Sequence, residues 1–251
     1  MVIPTRNRAA YLDVALRSLL PQVAEHGAEL LVVDDGGTDD TRAVAARHGV
    51  RCVRHERSRG LNAARNTGIA ETSGALVCFV DDDVEVRPGW LGALLEGARA
   101  YPEAGCFTGP IHARFEDHPL RLCGREGPPV TSLDLGPADV VAPHAWGANL
   151  TIRRSAVEAV GPFDDTLPLY GDEQEWEARL HAAGGTIMYL AGAALDHRRA
   201  GDDARLRSLM RAARFRGRAA RREDVAKGVA PGIGAELRVL AGTLVHGPRY
   251  R

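Results

Sequence analysis

In the first hundred residues, short β-branched apolar runs alternate with segments of helical periodicity. Residues 1–4, 30–33, 50–54 and 76–80 read as strands, and 11–25, 38–48, 61–72 and about 88–100 read as helices. Leu12, Leu16, Leu19 and Leu20 recur at helical spacing in the first helix. Asp39 and Asp40 are expected in the first turn of the second helix, where carboxylates suit the helix dipole. Pro88 is expected to open the fourth helix, since its missing N–H would be unsatisfied there anyway. Residues 76–80 (LVCFV) are apolar at every position, the pattern of a strand buried on both faces. Strand–helix alternation implies a Rossmann-like α/β fold, a mainly parallel sheet flanked by helices. Such sheets bind ligands at the C-terminal ends of their strands.

Three polar clusters follow those strands: Thr5-Arg6-Asn7, Asp34-Asp35-Gly36-Gly37 and Asp81-Asp82-Asp83. Far apart in sequence, they would converge on one rim of the sheet. The second half changes character. Residues 101–145 are rich in Pro, Gly and His and read as irregular strands and loops. Residues 146–153 (WGANLTIR) read as a buried turn entering a strand, 172–183 as a helix, 186–190 as a strand and 203–222 as a long helix. The organisation expected is a first half (1–100) and a second half (101–199) of one domain, followed by a helical C-terminal extension (200–251).

The 251 residues, 45% apolar, suffice for a sizeable core. A net charge of −1 conceals a division, because residues 198–251 carry 14 Arg/Lys against 5 Asp/Glu. That leaves +9 on residues 198–251 and −10 on residues 1–197. Cys52, Cys78, Cys106 and Cys123 lack the spacing of zinc or redox sites and read as reduced, structural thiols. No signal-peptide pattern and no run of about 20 apolar residues is present, so the sequence reads as a cytoplasmic protein. Between 198 and 222 there are 10 Arg and two acids, Asp202 and Asp203, with Leu206, Leu209, Met210, Ala213 and Gly217 at helical spacing. This stretch reads as a surface helix docked on the acidic body. Two functional alternatives stand beside that: a clamp on a diphosphate, or a peripheral foothold on an anionic membrane. Nucleic acid is not expected as a partner, since Phe215 is the single aromatic there and no recognition motif is present.

Three adjacent carboxylates at the edge of an apolar core repel one another, and a divalent cation removes the conflict. Hard oxygen ligands suit Mn²⁺ or Mg²⁺. The plain alternative is a solvated acidic turn, disfavoured by the buried strand before it. Asp34-Asp35-Gly36-Gly37 can accept hydrogen bonds from a base or a ribose, or can simply cap a helix. In Gly171-Asp172-Glu173-Gln174-Glu175-Trp176, one of the adjacent acids can face a cleft and deprotonate a hydroxyl; equally, both can serve the helix dipole. His197 is followed by Arg198 and Arg199, which suit a diphosphate.

With VIPTRNR at 2–8, LLVVDDGGTDDT at 30–41, RGLNAARNTGIAETSG at 59–74, VCFVDDD at 77–83, WGANLTIRR at 146–154, GDEQEW at 171–176 and LDHRR at 195–199, the chain resembles inverting nucleotide-sugar glycosyltransferases of family 2, which have the GT-A fold. The resemblance implies a metal-dependent transfer from a nucleoside-diphosphate sugar, most often a uracil nucleotide, to an acceptor hydroxyl. Pro4, Thr5, Arg6, Asp34 and Asp35 would hold base and ribose, and Arg65 would lie near the nucleotide or its phosphates. Asp81-Asp82-Asp83 matches the family's Asp-x-Asp motif. There Asp83 would bind the metal directly, Asp81 or Asp82 would face sugar and ribose, and Asp81 and His197 are candidates to complete the metal shell. Trp146 and Asn149 would wall the sugar and acceptor pocket. The family usually shows Glu-Asp at the base, and here the order is reversed. By position Glu173 is the base, by residue type Asp172; position is given preference. A haloacid dehalogenase-like phosphatase would need Thr or Val where Glu85 stands, and a dinucleotide oxidoreductase would need a Gly-rich turn after the first strand. A non-catalytic nucleotide-sugar-binding protein that retains the fold is the alternative from another class. The acceptor and the oligomeric state are not readable.

Overall fold

The computed structural model describes residues 1–117, 130–167, 172–226 and 228–246. Cys123 and the side chain of Asp172 lie outside what is described. The four strands of the first half form as the sequence predicts, within a residue or two: β1 (Val2–Thr5), β2 (Leu31–Asp34), β3 (Arg51–Arg54) and β4 (Leu76–Val80). They are joined by α1 (Ala9–His26), α2 (Thr41–Arg47) and α3 (Leu61–Glu71). A short strand, β5 (Val84–Val86), then precedes α4 (Trp90–Ala100). The second half contributes β6 (Ala104–Thr108), β7 (Ile111–Phe115), β8 (Val140–Val141), β9 (Asn149–Arg153), α5 (Arg154–Val160), α6 (Asp172–Ala182), β10 (Thr186–Tyr189) and β11 (Leu195–Arg199). After a 3-10 turn at Gly201–Ala204 the chain ends in α7 (Leu206–Ala226) and α8 (Ile233–His246).

Eight strands form one sheet in the order β3-β2-β1-β4-β9-β6-β10-β8. Its first four strands are parallel, as read from the sequence. β9 enters antiparallel between β4 and β6, so the sheet is mixed and both halves share one core. Period-2 patterning could not reveal this, because β9 is buried on both faces and reads like any other interior strand. α1 packs on α2 and α4, while α5 packs on α6 over the opposite face beside α3. Close approach of α3 to β1 depends on Gly68, where a Cβ would stand 2.3 Å from a methyl of Val2. Beyond the sheet, Phe163 links the edge of Phe79 (5.7 Å) to the fully buried Trp176 (5.6 Å).

Two helix starts differ from expectation. α2 begins at Thr41, and Asp39 lies before it, accepting hydrogen bonds from Thr41 N–H (3.2 Å), Thr41 Oγ1 (2.7 Å) and Ala9 N–H (2.8 Å). Its carboxylate thus ties two helix N-termini together, where orphan N–H donors need acceptors. α4 begins at Trp90, after Gly89 in the left-handed region (φ 80°), so Pro88 belongs to the preceding turn.

A second sheet of three strands, β5-β11-β7, was not foreseen from the sequence. β11 runs antiparallel to β5 with His197 opposite Val84, and Arg198 N–H donates to the Asp83 carbonyl at 2.8 Å. This pairing carries His197 to the acidic turn, although more than a hundred residues separate them.

Candidate active site

The crevice opens where the order of strands reverses, between β1 and β4. These strands pair at the single register Val2↔Phe79. The carbonyls of Met1 and Thr5 accept from Leu31 and Asp35 across β2, so the alternate residues Val2 and Pro4 address β4. There Pro4 has no N–H to offer, and strand pairing stops. Thr5 and the turn Asp81-Asp82-Asp83 flank this gap.

Asp81, Asp83 and His197 bring one ligand atom each within 4.8 Å of one another. Asp83 and His197 are buried and Asp81 is half-buried. Among the described residues, buried Asp83 Oδ1 meets no hydrogen-bond donor in good geometry, with His197 Nε2 3.2 Å away. His197 Nδ1 lies 3.0 Å from the Thr131 carbonyl. A carbonyl only accepts, so Nδ1 carries the proton and Nε2 faces Asp83, the orientation of a metal-ligating imidazole. The orphaned oxygen, the oriented imidazole and the oxygen-rich donor set fit Mn²⁺ or Mg²⁺.

The acidic turn is balanced by arginines. Arg8 Nη1 stands 3.2 Å from Asp82 Oδ1 and Arg8 Nη2 stands 3.0 Å from Asp83 Oδ2, which also pairs with Arg199. Thr5 Oγ1 donates to Asp82 Oδ2 at 2.6 Å. Burial, with the negative charge of Asp83, raises the Asp81 carboxyl. Burial also pushes Asp82 up to about 7, against the pull of Arg8. For Asp83, burial is outweighed by His197, Arg8 and Arg199, which hold it well below the usual carboxylate range. His197 is raised, since the neighbouring Asp83 outweighs its own burial.

At the end of β2, Asp34 and Asp35 differ in how much binding capacity they retain. Asp34 Oδ1 accepts from Gly37 N–H at 2.8 Å, and Arg54 Nε lies 3.4 Å from Oδ2. Asp35 accepts four bonds: from His55 Nδ1 (2.7 Å), Ser58 Oγ (2.6 Å) and the N–H groups of Arg59 (2.7 Å) and Gly60 (2.9 Å). Burial would raise its pKa, but these bonds bring it below the usual value. A carboxylate so saturated shapes the 55–60 loop. Arg6 is exposed at the end of β1.

Across the crevice, α3 and α6 enclose the buried Arg65. Its Nη1 lies 3.1 Å from Asn62 Oδ1 and 3.8 Å from Glu173 Oε2, and its guanidinium lies 5.4 Å from the centre of the Phe163 ring. Two carboxylates one turn apart on α6 hold the 145–147 turn, Glu173 through Gly147 N–H (3.2 Å) and Glu177 through Ala145 N–H (2.9 Å). A Cβ at Gly147 would fall 2.0 Å from Arg65 Nη2, so a side chain there would have to displace the guanidinium. Burial pushes Glu177 up to about 7, although Ala145 N–H and Arg65 oppose it. Trp146 is half-buried, edge-on to His144 at 5.0 Å. Asn149 is 0% exposed, accepting from Trp90 Nε1 (3.0 Å) and donating to the Ala193 carbonyl (2.9 Å). Fully enclosed and bonded to Trp90 and Ala193, the Asn149 side chain presents no surface to a wall beside Trp146.

Arg8 and Glu177 are the site residues that the sequence reading missed. The signal for Arg8 was present, since it directly follows the polar cluster after β1. Glu177 could be found only from its spacing to Glu173, i and i+4 on one helix face.

Residues 1–161 match the family described as Glycosyl transferase family 2, and the chain belongs to it. Among relatives, a pre-mycofactocin glycosyltransferase of Mycobacterium tuberculosis is 34% identical over 215 residues, covering 79% of this chain and 42% of that protein. A validoxylamine A glucosyltransferase of Streptomyces hygroscopicus subsp. jinggangensis is 30% identical over 216 residues, covering 73% of this chain and 51% of that protein. The chain thus spans about half the length of these relatives. The solved structure of GalNAc-T7 with UDP, GalNAc and Mn²⁺ superposes with a TM-score of 0.64 at 17% identity, covering 85% of this chain and 47% of that one. The mannosyltransferase PcManGT from Pyrobaculum calidifontis, in complex with GDP-Man and Mn²⁺, gives 0.60 at 15% identity, covering 98% and 79%. The fold is that of the GT-A glycosyltransferases.

Proposed function

We propose that the protein transfers a glycosyl group from a nucleoside-diphosphate sugar, a uridine nucleotide foremost, to an acceptor hydroxyl with inversion at the anomeric carbon. The observation that carries this reading is the Asp81–Asp83–His197 cluster, with its orphaned Asp83 oxygen, at the strand-order reversal. The named activities of the relatives and the nucleotide-sugar complexes of the neighbours point the same way.

Asp81, Asp83 and His197 would hold a divalent cation, which when bound supplies Lewis-acid neutralisation of the diphosphate. Thr5 and Asp82 bind at the ribose side, beside Pro4. Asp34 offers acceptor capacity toward the base, with Arg6 at the rim and Asp35 keeping the loop in shape. Arg8 and Arg199 sit where a departing diphosphate needs positive charge. Opposite them, Glu173 takes the acceptor proton from the face away from the leaving group. The acceptor oxygen bonds to the anomeric carbon as the carbon–phosphate oxygen bond breaks, with that electron pair leaving on the diphosphate. Arg65, 3.8 Å from Glu173 Oε2, holds the carboxylate in place, and Trp146 walls the acceptor side with Asn149 fixed behind it. Asp172 neighbours Glu173 on α6 as the competing base.

Calorimetric titration with a nucleoside-diphosphate sugar tests this assignment. Binding should require Mn²⁺ or Mg²⁺ and should fall at least tenfold in Asp83→Ala. Tight, metal-independent binding unaffected by Asp83→Ala would contradict it.

A further inference from the structure

The C-terminal arm departs from the body in a way the catalytic reading does not use. The arm's root is fixed beside the site: Tyr11 Oη accepts from Ala200 N–H at 2.8 Å, and Asp203 Oδ2 lies 3.3 Å from Arg8 Nη2. Ala204 and Leu209 are buried, but among the described residues no side chain after Leu209 is. Beyond that point the described side chains of α7 are exposed or half-buried, although its sequence charge would suit the acidic body.

Arg207, Arg211, Arg214, Arg218 and Arg221 alternate at spacings of four and three, which stacks them on one face of α7 over about 21 Å. The first four are exposed, and Arg221 is half-buried. Arg221 also fixes α8, donating to the Pro231 carbonyl (2.7 Å) and pairing with Glu236 (3.0 Å). That pair neutralises the one carboxylate of α8. Among the described residues ten large apolar side chains are exposed, and six of them lie between 210 and 239. Ile233 (73%), Val239 (71%) and Val229 (65%) are the most open, with Leu237 and Val225 close behind. No helix is long and apolar enough to cross a membrane.

We infer that the α7–α8 arm is a docking surface for an anionic lipid bilayer, with the arginine row on headgroups and the apolar side chains of α8 in the interfacial layer. Charge complementarity selects the bilayer, and the exposed apolar side chains on the same arm distinguish it from a purely polyanionic partner. A row of bases gains affinity from negative lipid headgroups, and a short amphipathic segment gains it by burying apolar area at the boundary. Because the arm is rooted at Arg8 and Tyr11, docking would set the crevice at the lipid surface. The inference does not depend on the glycosyl-transfer reading, since its test measures partitioning and not turnover.

The test is co-sedimentation of the full chain with phosphatidylcholine vesicles, with and without phosphatidylglycerol. Binding is expected to anionic vesicles only, and to be lost at about 1 M salt, where the screening length falls to about 3 Å. At about 1 kcal/mol per base near the surface, Arg207→Gln/Arg211→Gln/Arg214→Gln should weaken partitioning about a hundredfold. Ile233→Gln/Leu237→Gln should weaken it at least tenfold. Circular dichroism of both variants should match the parent, since the substituted side chains are exposed. Failure of the parent to bind anionic vesicles, equal binding to neutral ones, or full binding by the arginine variant would overturn the inference. Two further results would do the same. One is a parent dimer that Ile233→Gln/Leu237→Gln converts to monomer without loss of vesicle binding. The other is an oligonucleotide held as tightly as the vesicles, with the apolar variant unaffected.

Discussion

Glu173 and Glu177 sit one turn apart on α6 and bond to the same turn, yet the roles assigned to them differ because their surroundings do. Glu173 faces Arg65 in the crevice, whereas Glu177 is 3% exposed and pushed up to about 7 by burial. Its native pKa lies above the usual 4.5, so between those values the folded state keeps a proton that the unfolded chain has lost. Stability should therefore fall as pH rises from about 4.5 to 7 by on the order of 3 kcal/mol, and Glu177→Gln should flatten that decline. Urea midpoints across this range measure it, and an equal decline in parent and variant would reject the assignment. Gly147→Ala should push Arg65 aside and disturb both carboxylates through one methyl group. The sequence marked most of these residues by type and position. It could not show that Asn149 is enclosed or that Asp35 is saturated, since both depend on partners brought in from other elements. Arg8 directly follows the polar cluster after β1, but its partners became visible only when Asp82 and Asp83 were placed against it.

Among the elements, the parallel half was legible because each strand ends in a turn signal and each helix has an apolar stripe. The antiparallel β9 and the small β5-β11-β7 sheet were not, as register between distant short strands leaves no local trace. The helix starts show the same limit. Asp39 looked like a first-turn acid, but its three hydrogen bonds cap α2 and hold the start of α1. Asp39→Ala should cost roughly 1–2 kcal/mol, the upper part of the usual capping range, because two helix ends lose an acceptor. Denaturant unfolding would read this directly, and a change below a few tenths of a kcal/mol would show that the bonds are replaced by water. At Gly68 the constraint is steric: Gly68→Val should destabilise more than Gly68→Ala, since β1 cannot retreat from between its neighbours.

For the whole molecule, the charge division of the sequence takes a definite form. At the crevice, Asp81, Asp82 and Asp83 face Arg8, Arg199 and His197, so the acidic turn is balanced locally. Residues 198–251 carry a net +9, and among the described residues no side chain after Leu209 is buried. Of the face expected to dock on the body, Leu209 is buried, whereas Met210, Ala213 and Gly217 are exposed. The central claim is that the acidic turn and Glu173 act on opposite sides of one glycosyl transfer. Its most direct measurement is release of nucleoside diphosphate from a panel of nucleotide sugars, with Mn²⁺ or with chelator, in the parent, Asp83→Ala and Glu173→Gln. The account predicts metal-dependent release by the parent and none by Asp83→Ala. Glu173→Gln should bind donor normally but turn over about 10²–10⁴-fold more slowly. Full turnover by Glu173→Gln would move the base to Asp172, and turnover by Asp83→Ala in chelator would contradict the account outright.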